Sequence, residues 1–326
     1  MADSLKNIVK SPVSFTIKSN GKEIPGSYTI ISVSVNKEVN KVASALIQLY
    51  DGGFADGEGY AVSDSGDFNP GSEIEISAGY ASDEETIFKG IVIKHGLRLS
   101  HGNFILEIEC KDEAIKTTVG RKNRIFEKKT DSDIISEVLG NYSSITINVE
   151  STSYAHPELL QHYIADWDFV IQRAEVNGMV LLNSDGEIKI KKPDAGSPVL
   201  KLSPDDGILS FNANIDAKNI LGSVKGVSWD MDNQDIIEAT SNPPSENKAG
   251  NLKSGDLSGI IGLEEYLLNT TANTPMEVLT EWASACHSKS EWSKVRGKIS
   301  IYGYNKILPG DSINLEDFSD QFNGTI

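Results

Sequence analysis

Apolar residues alternate with polar ones in several separated stretches of the chain. Val33 and Val35, Ile74 and Ile76, and the series Phe104, Leu106, Ile108, Cys110 each recur at every second position, as do Ile145, Ile147 and Val149. A period of two predicts strands with one buried face. Three other stretches have helical spacing. Residues 130–140 place Ile134, Ile135, Val138 and Leu139 on one face; Thr130, Asp131 or Ser132 can cap the first turn, and Gly140 ends it. Residues 166–178 carry Trp167, Val170, Ile171 and Ala174 on one face, with Asp166 as the predicted cap and Asn177-Gly178 as the left-handed stop. A hairpin follows, MVLLN and EIKIKK about the turn Ser184-Asp185-Gly186. Thr274-Pro275-Met276-Glu277 reads as a capping box with proline at the first helical position, leading the stripe Leu279, Trp282, Ala283, Cys286.

The pattern repeats at long range. Pro70-Gly71-Ser72-Glu73-Ile74-Glu75-Ile76 matches Pro309-Gly310-Asp311-Ser312-Ile313-Asn314-Leu315, and Phe88-Lys89-Gly90-Ile91 matches Phe322-Asn323-Gly324-Thr325. Upstream, 32–51 and 210–230 both read as two alternating strands joined by a polar turn, with Tyr50-Asp51 matching Trp229-Asp230. Several matches in one order predict two similar β-modules rather than a solenoid. The expected division is 1–115 for the first module and 116–205 for a mixed α/β domain. The second module is expected over 206–230 and 294–326, with 231–293 as an insert of loop and helix. The expected fold class is therefore α+β, mainly β, built on two tube-like β-barrel or sandwich modules. In the second copy the last strand stops at Ile326, where the first continues as IVIKHGLRL, which leads us to expect an N-terminal portion of a longer chain.

Composition narrows the function. The 326 residues, 39% hydrophobic, suffice for more than one core. No run of eighteen apolar residues predicts a membrane span, and MADSLKNIVKSPVSF has no apolar signal region. The net charge of −17, from 30 basic and 47 acidic side chains, disfavours nucleic acid as a partner. One basic run, KTTVGRKNRIFEKK at 116–129, reads as a solvated turn between elements or as a docking patch for an acidic surface. Residues 51–69, DGGFADGEGYAVSDSGDFN, read as a mobile surface loop; they lack the order of a calcium loop. Residues 241–256 read as a second exposed loop. Cys110 and Cys286 both read as reduced core thiols.

The sequence offers no catalytic, cofactor-binding or metal-ligating residues. His95, His101, His156, His162 and His287 form no HExxH, and no CxxC, GxSxG or phosphate-binding glycine loop is present. Cys286 and His287 are adjacent and point to different sides of a helix, so they make a poor nucleophile pair. Asp166 and Asp168 could suggest a two-carboxylate glycosidase, but a cap and a first-turn acid account for them better.

The stretch YIADWDFVIQRAEVNGMV at 163–180 resembles the hub segment of VgrG-type spike proteins, relatives of the baseplate hub of contractile phage tails. PGSEIEISAGY, FKGIVIKH, ECKDEAIKTTVGRKN, VSWD at 227–230 and ILPGDSINL agree, so the resemblance runs over nearly the whole chain. GRKN with DWDF and the aspartate-rich loop after Asp51 is most similar to hubs of extracellular contractile injection systems, with type VI secretion tips as near neighbours. The resemblance implies a structural, non-enzymatic hub, a homotrimer whose six tube-like modules adapt a threefold spike to a sixfold tube. Its implied partners are an inner tube protein, baseplate proteins and a PAAR-like spike tip, the last through a C-terminal OB-fold and β-helix needle that this stretch lacks. Assembly in a bacterial cytoplasm and service in an envelope-piercing particle follow from the same resemblance. The alternatives from other classes are a phage-hub-like cell-wall hydrolase, for which no all-helical insert is seen, and a β-rich carbohydrate-binding or adhesion module. The latter would need exposed aromatic platforms, whereas Trp167, Trp229 and Trp282 hold core-like or repeat-matched positions and Trp292 is undecided.

Overall fold

The computed structural model describes residues 3–4, 12–53, 60–81, 83–194, 196–205, 207–244 and 249–326. The first part of the chain forms β1 (Asp3–Ser4), β2 (Val13–Ser19), β3 (Lys22–Glu23), β4 (Ile30–Asn36), β5 (Ser44–Gly53), β6 (Glu73–Tyr80), β7 (Asp83–Ser100) and β8 (Asn103–Lys111). All but β1 build one antiparallel sheet in the order β3-β2-β6-β7-β8-β5-β4. Ile17 near one end of this order and Val33 and Val35 at the other reach the same hydrophobic cluster, so the sheet curls around a single core. Its end strands β3 and β4 do not pair among the described residues, so of the barrel or sandwich forms expected this module takes the form of an open, curled sheet. The opposite face is mixed: it carries the pairs Arg98–Glu107 and Lys89–Glu75 together with the exposed apolar side chains Leu46 and Tyr50, on a sheet wetted on one side.

β7 is the corner of this sheet. Its first half pairs with β6 and its second with β8, with register shifts at Ile76/Ser77 and Val92/Lys94. Gly90 sits at the turn of the corner, where a Cβ would lie 2.2 Å from the Lys111 carbonyl oxygen and 2.8 Å from the Phe88 ring. The FKGI stretch therefore needs glycine for close approach rather than for flexibility.

The described part of the 51–69 loop is not a mobile surface feature, which corrects the sequence reading. Val62 and Phe68 are buried in the core of the sheet. Both carboxylate oxygens of Asp51 accept backbone N–H groups, from Val62 at 2.7 Å and Ser63 at 3.0 Å. His95 holds Ser63 and the Phe68 carbonyl. The acidic residues thus organise the loop by accepting hydrogen bonds; 54–59 lie outside the described residues.

The middle of the chain adds β9 (Lys122–Thr130), α1 (Asp131–Leu139), β10 (Thr146–Val149), β11 (Ala155–Ile164), α2 (Asp166–Val176), β12 (Val180–Ser184) and β13 (Glu187–Lys191). β9 and β11 make an antiparallel ribbon, and β10-β13-β12 a small mixed sheet. The two helices pack between them, and the face Ile134, Ile135, Val138 and Leu139 is fully buried as predicted. Thr130 is the cap of α1, in a reciprocal box with Asp133. The hairpin turns through Asp185 and Gly186, both at positive φ, the geometry that a two-residue Asp-Gly loop favours.

The remainder forms β14 (Leu200–Leu202), β15 (Ile208–Ile215), β16 (Ser223–Asp230), β17 (Asp235–Thr240), α3 (Ser254–Ile261), β18 (Glu265–Asn269), α4 (Met276–Trp292), β19 (Val295–Ile301), β20 (Ile313–Leu315) and β21 (Gly324–Thr325). The repeat is visible in its turns. Asn69-Pro70-Gly71-Ser72 and Leu308-Pro309-Gly310-Asp311 each close with a hydrogen bond from the fourth residue to the first, and each glycine has φ near +90°. Each turn feeds a strand whose antiparallel partner carries the matched glycine, Gly90 or Gly324. Tyr50 and Trp229 are 44% and 43% exposed, and the aspartate after each folds the loop that follows.

The hairpins themselves diverge. β4 pairs with β5, whereas β15 pairs with β19 and β16 pairs with β17 and β18. Residues 231–293 supply the partners of β16 and also α4, whose Leu279 packs where a Gly226 side chain would stand. Proton donors explain a second departure at α4. Thr274 donates its N–H to Ser228 on β16, so Pro275 becomes the cap, the helix starts at Met276, and no side-chain capping box forms.

The paired turns give a test of the repeat. Gly71→Ala is expected to cost about 1 kcal/mol, the penalty of a Cβ at positive φ. Gly310→Ala is expected to cost about 2 kcal/mol, because its Cβ also meets Leu182, the Cδ1 atom lying 2.8 Å away. Urea unfolding of both variants, with Leu182→Ala added to the second, measures the difference; equal losses for the two glycines would show that the Leu182 seat is not tight.

Candidate functional site: two buried carboxylates and a hairpin seat

The stretches GRKN and DWDF, far apart in sequence, meet in space. Asp166 opens α2 and is almost fully buried. It is not the cap that the sequence suggested: Ala165 holds that position, and the carboxylate turns away from the helix N–H groups. Oδ2 accepts from Lys122 Nζ and from the Tyr142 hydroxyl, both at 2.7 Å. Oδ1 accepts from Gln161 Nε2 at 2.8 Å and from Arg124 Nη1 at 3.0 Å. Burial pushes this carboxyl upward, but donors from Gln161, Lys122 and Tyr142 and the Arg124 charge outweigh it, and Asp166 is held below the usual carboxylate range. The hydrogen bond to Asp166 in turn raises Lys122.

This corrects the reading of the basic run. Residues 122–129 are strand β9, not a solvated turn. Lys122, Arg124 and Phe126 alternate onto its inner face; Phe126 stacks on Phe169 of α2 with centroids 5.9 Å apart. Asp168 is exposed while Asp166 is buried, so the two carboxylates do not form a glycosidase pair.

A second carboxylate repeats the design. Asp131, at the start of α1, accepts from Arg173 Nε at 2.6 Å and Nη2 at 3.0 Å, and from Asn177 Nδ2 at 2.8 Å. His156 Nε2 lies 3.2 Å away. Burial again raises the carboxyl and Arg173 more than offsets it, leaving Asp131 below its ordinary value. The sequence missed both clusters. The available signal for the first was the period-two alignment of Lys122 and Arg124 with Phe126.

The β12–β13 hairpin is seated in the first sheet by a set of polar contacts, and Val42, in the β4–β5 connection of that sheet, packs against the core that the hairpin helps to form. Asn40 and Leu181 exchange two hydrogen bonds of 2.8 Å. Asn183 accepts from the Ala43 N–H, Asp185 from Lys37 Nζ and the Lys89 N–H, and Asp112 from the Gly186 N–H. On its other side the middle domain meets α4, where Gly178 lies against Ala285 and the pairs Lys192–Glu281 and Lys289–Glu175 bridge the two.

The remaining chemistry-bearing residues fall into structural places. Cys110 is in the core of the first sheet, and burial pushes its thiol up to about 12. Cys286 is half-buried, and His287 turns away from it to meet the Ser241 hydroxyl at 2.9 Å. His162 is exposed and His101 occupies a turn. Trp167 is buried and Trp282 and Trp292 are half-buried, whereas Trp229 is exposed.

Comparison with known proteins places this architecture. The family model described as the Alg8 N-terminal domain matches residues 9–326. The chain belongs to that family. No curated protein matches it by sequence. Among solved structures, the prophage MuSo2 43 kDa tail protein from Shewanella oneidensis superposes with a TM-score of 0.68 at 11% identity, covering 96% of this chain and 92% of its own. The tail protein from Neisseria meningitidis MC58 gives 0.67 at 12% identity over 96% and 89%. Prophage tail protein gp18 from Listeria monocytogenes EGD-e gives 0.52 at 9% identity over 92% and 84%. At these identities the likeness is one of fold. This member of the Alg8 N-terminal domain family thus has a phage tail-protein fold, mostly β, as its resemblance to phage-tail hubs implied. No helix among the described residues is long and apolar enough to cross a membrane.

Proposed function

We propose that the chain is the structural hub of the central spike of a contractile injection machine. The observation that carries this reading is the extent of the fold likeness: nearly the whole chain superposes on a prophage tail protein that is itself nearly all covered. The role is mechanical. Three copies would form a symmetry adaptor between a sixfold inner tube and a threefold spike, with each chain's two matched Pro-Gly modules supplying two of six positions around the ring. Its partners would be the inner tube protein, baseplate proteins and a PAAR-like spike tip. It would assemble in a bacterial cytoplasm and act in a particle driven through a target envelope. The construction of the middle domain supports the reading, because its buried charges are each held by several donors and serve rigidity.

End-on electron-microscope averages of the purified chain test this. A threefold ring with six similar outer lobes is expected. Single-chain particles at all concentrations would remove the adaptor role. Release of fragments from purified peptidoglycan would turn the assignment toward a cell-wall hydrolase.

A further inference from the structure

Ser63 and His95, both half-buried, make a contact that the mechanical role does not use. The Ser63 hydroxyl oxygen lies 2.7 Å from His95 Nε2, and His95 Nδ1 lies 3.0 Å from the Phe68 carbonyl oxygen. A carbonyl oxygen can only accept, so Nδ1 carries the proton of the neutral imidazole. Nε2 then presents a lone pair, and the Ser63 hydroxyl donates to it. A nucleophile on a base, with the base oriented by a third group, is the arrangement of an activated serine. Here the third group is a backbone carbonyl in place of a carboxylate. Ser63 is held in register by its own N–H, which donates to Asp51 at 3.0 Å.

The same face offers a seat for an apolar group. His95, Leu97 and Leu99 alternate along one face of β7, opposite Ile108, Leu106 and Phe104 of β8. Ile108 and Leu106 are fully buried, yet Leu97 and Leu99 are 43% and 50% exposed. From Lys94 onward β7 pairs with β8 alone among the described residues, so this end of the face is reached from an open edge. The exposed Tyr60 meets Phe104 edge-on, with ring centroids 5.0 Å apart, and extends the apolar strip. The next two N–H groups after Ser63 do not aim at a developing oxyanion, because those of Asp64 and Ser65 donate to the Tyr60 and Val62 carbonyls. That restricts the chemistry to acyl donors with a good leaving group.

We propose that Ser63 is a nucleophile and His95 its general base, acting on activated esters of short apolar acids. The Ser63 oxygen attacks the acyl carbon, a new C–O bond forms, and the hydroxyl proton passes to His95 Nε2. The bond from the acyl carbon to the leaving oxygen then breaks, and that oxygen departs with the proton from His95. Water, giving its proton to the same Nε2, attacks the acyl-serine. The carboxylic acid leaves, Ser63 regains its proton, and the sum is ester plus water to acid plus alcohol. The acyl chain lies on Leu97 and Leu99. This activity is separate from the hub reading and stands or falls without it.

Labelling of the whole chain with diisopropyl fluorophosphate, followed by intact mass and peptide mapping, tests it. One adduct per chain is expected, on the peptide that holds Ser63, with fluoride as the leaving group. Ser63→Ala should remove it. His95→Gln, which keeps a hydrogen-bonding side chain but no base, should slow it at least about a hundredfold. Ser65→Ala should leave it intact, because the Ser65 hydroxyl donates to the Val62 carbonyl and faces no base. The parent unfolded in urea should label at least about a hundredfold more slowly than the folded parent, a comparison that needs no variant to fold. Folded parent should also turn over p-nitrophenyl butyrate faster than the acetate, and Leu97→Asp should narrow that preference. No adduct on the folded parent, an adduct on another residue, or equal labelling of Ser63 in folded and unfolded chain overturns the assignment of Ser63. Unchanged labelling of a folded His95→Gln overturns the role of His95 and leaves the contact a purely structural hydrogen bond.

Discussion

Replacing Asp166 with alanine is expected to lower the unfolding free energy by about 3 kcal/mol, the low end for breaking a buried ion pair. Lys122 and Arg124 keep 35% and 26% of their side chains exposed, so solvent absorbs part of the charge left behind. The loss is set by the orphaned donors more than by the attraction removed, because Gln161, Tyr142, Lys122 and Arg124 all aim at one carboxylate. Urea unfolding of the variant measures it, and a change below about 0.5 kcal/mol, the level of an exposed pair, would mean that the cluster is hydrated in solution. The same cluster predicts a pH dependence. Asp166 and Asp131 both titrate lower in the fold than in the unfolded chain. Their contribution is complete above the ordinary aspartate value of about 4 and is lost as pH falls through the lower folded values. Unfolding midpoints of the parent should therefore decline on acidification below about pH 4–5, and Asp166→Ala should show a shallower decline.

The largest single-residue loss is expected from Phe88→Ala, at about 4 kcal/mol. Phe88 is fully buried in the one core that the curled sheet encloses, and it lies beside Gly90 at the corner of β7. Collapse around the missing ring is restricted, because the Lys111 backbone closes the glycine side and Ile74, Ile76 and Cys110 are themselves fully packed. A loss below about 2 kcal/mol in the same unfolding assay would show that the sheet relaxes at this corner and that the core is less rigid than its burial implies.

Much of this fold was readable from the spacing of residues. The α1 face, the hairpin at Asp185-Gly186, the alternation ending at Cys110 and the two Pro-Gly turns are local patterns, and local geometry decides them. What the spacing hid was pairing over distance. Residues 210–230 look like a hairpin, yet β15 finds its partner in β19 about eighty residues later and β16 finds its own within 231–293. Strand alternation carries no information on which neighbour a strand takes. The role of Asp166 was hidden for a related reason. An acidic residue at the start of a helix is usually read through its own turn, whereas here donors from β9, β11 and Tyr142 converge on it. The loop after Asp51 looked mobile because of its glycines and aspartates, but Val62 and Phe68 within it are core residues.

The seat of the β12–β13 hairpin bears on how the chain carries load. Its hydrogen bonds reach Asn40 and Ala43 in the β4–β5 connection, Lys89 on β7 and Asp112 just after β8, and they hold both the body of the hairpin and its turn. Sliding or tilting the hairpin strains these attachments together rather than one after another. Displacing the first sheet against the hairpin would load several short polar links and the Val42 contact at once.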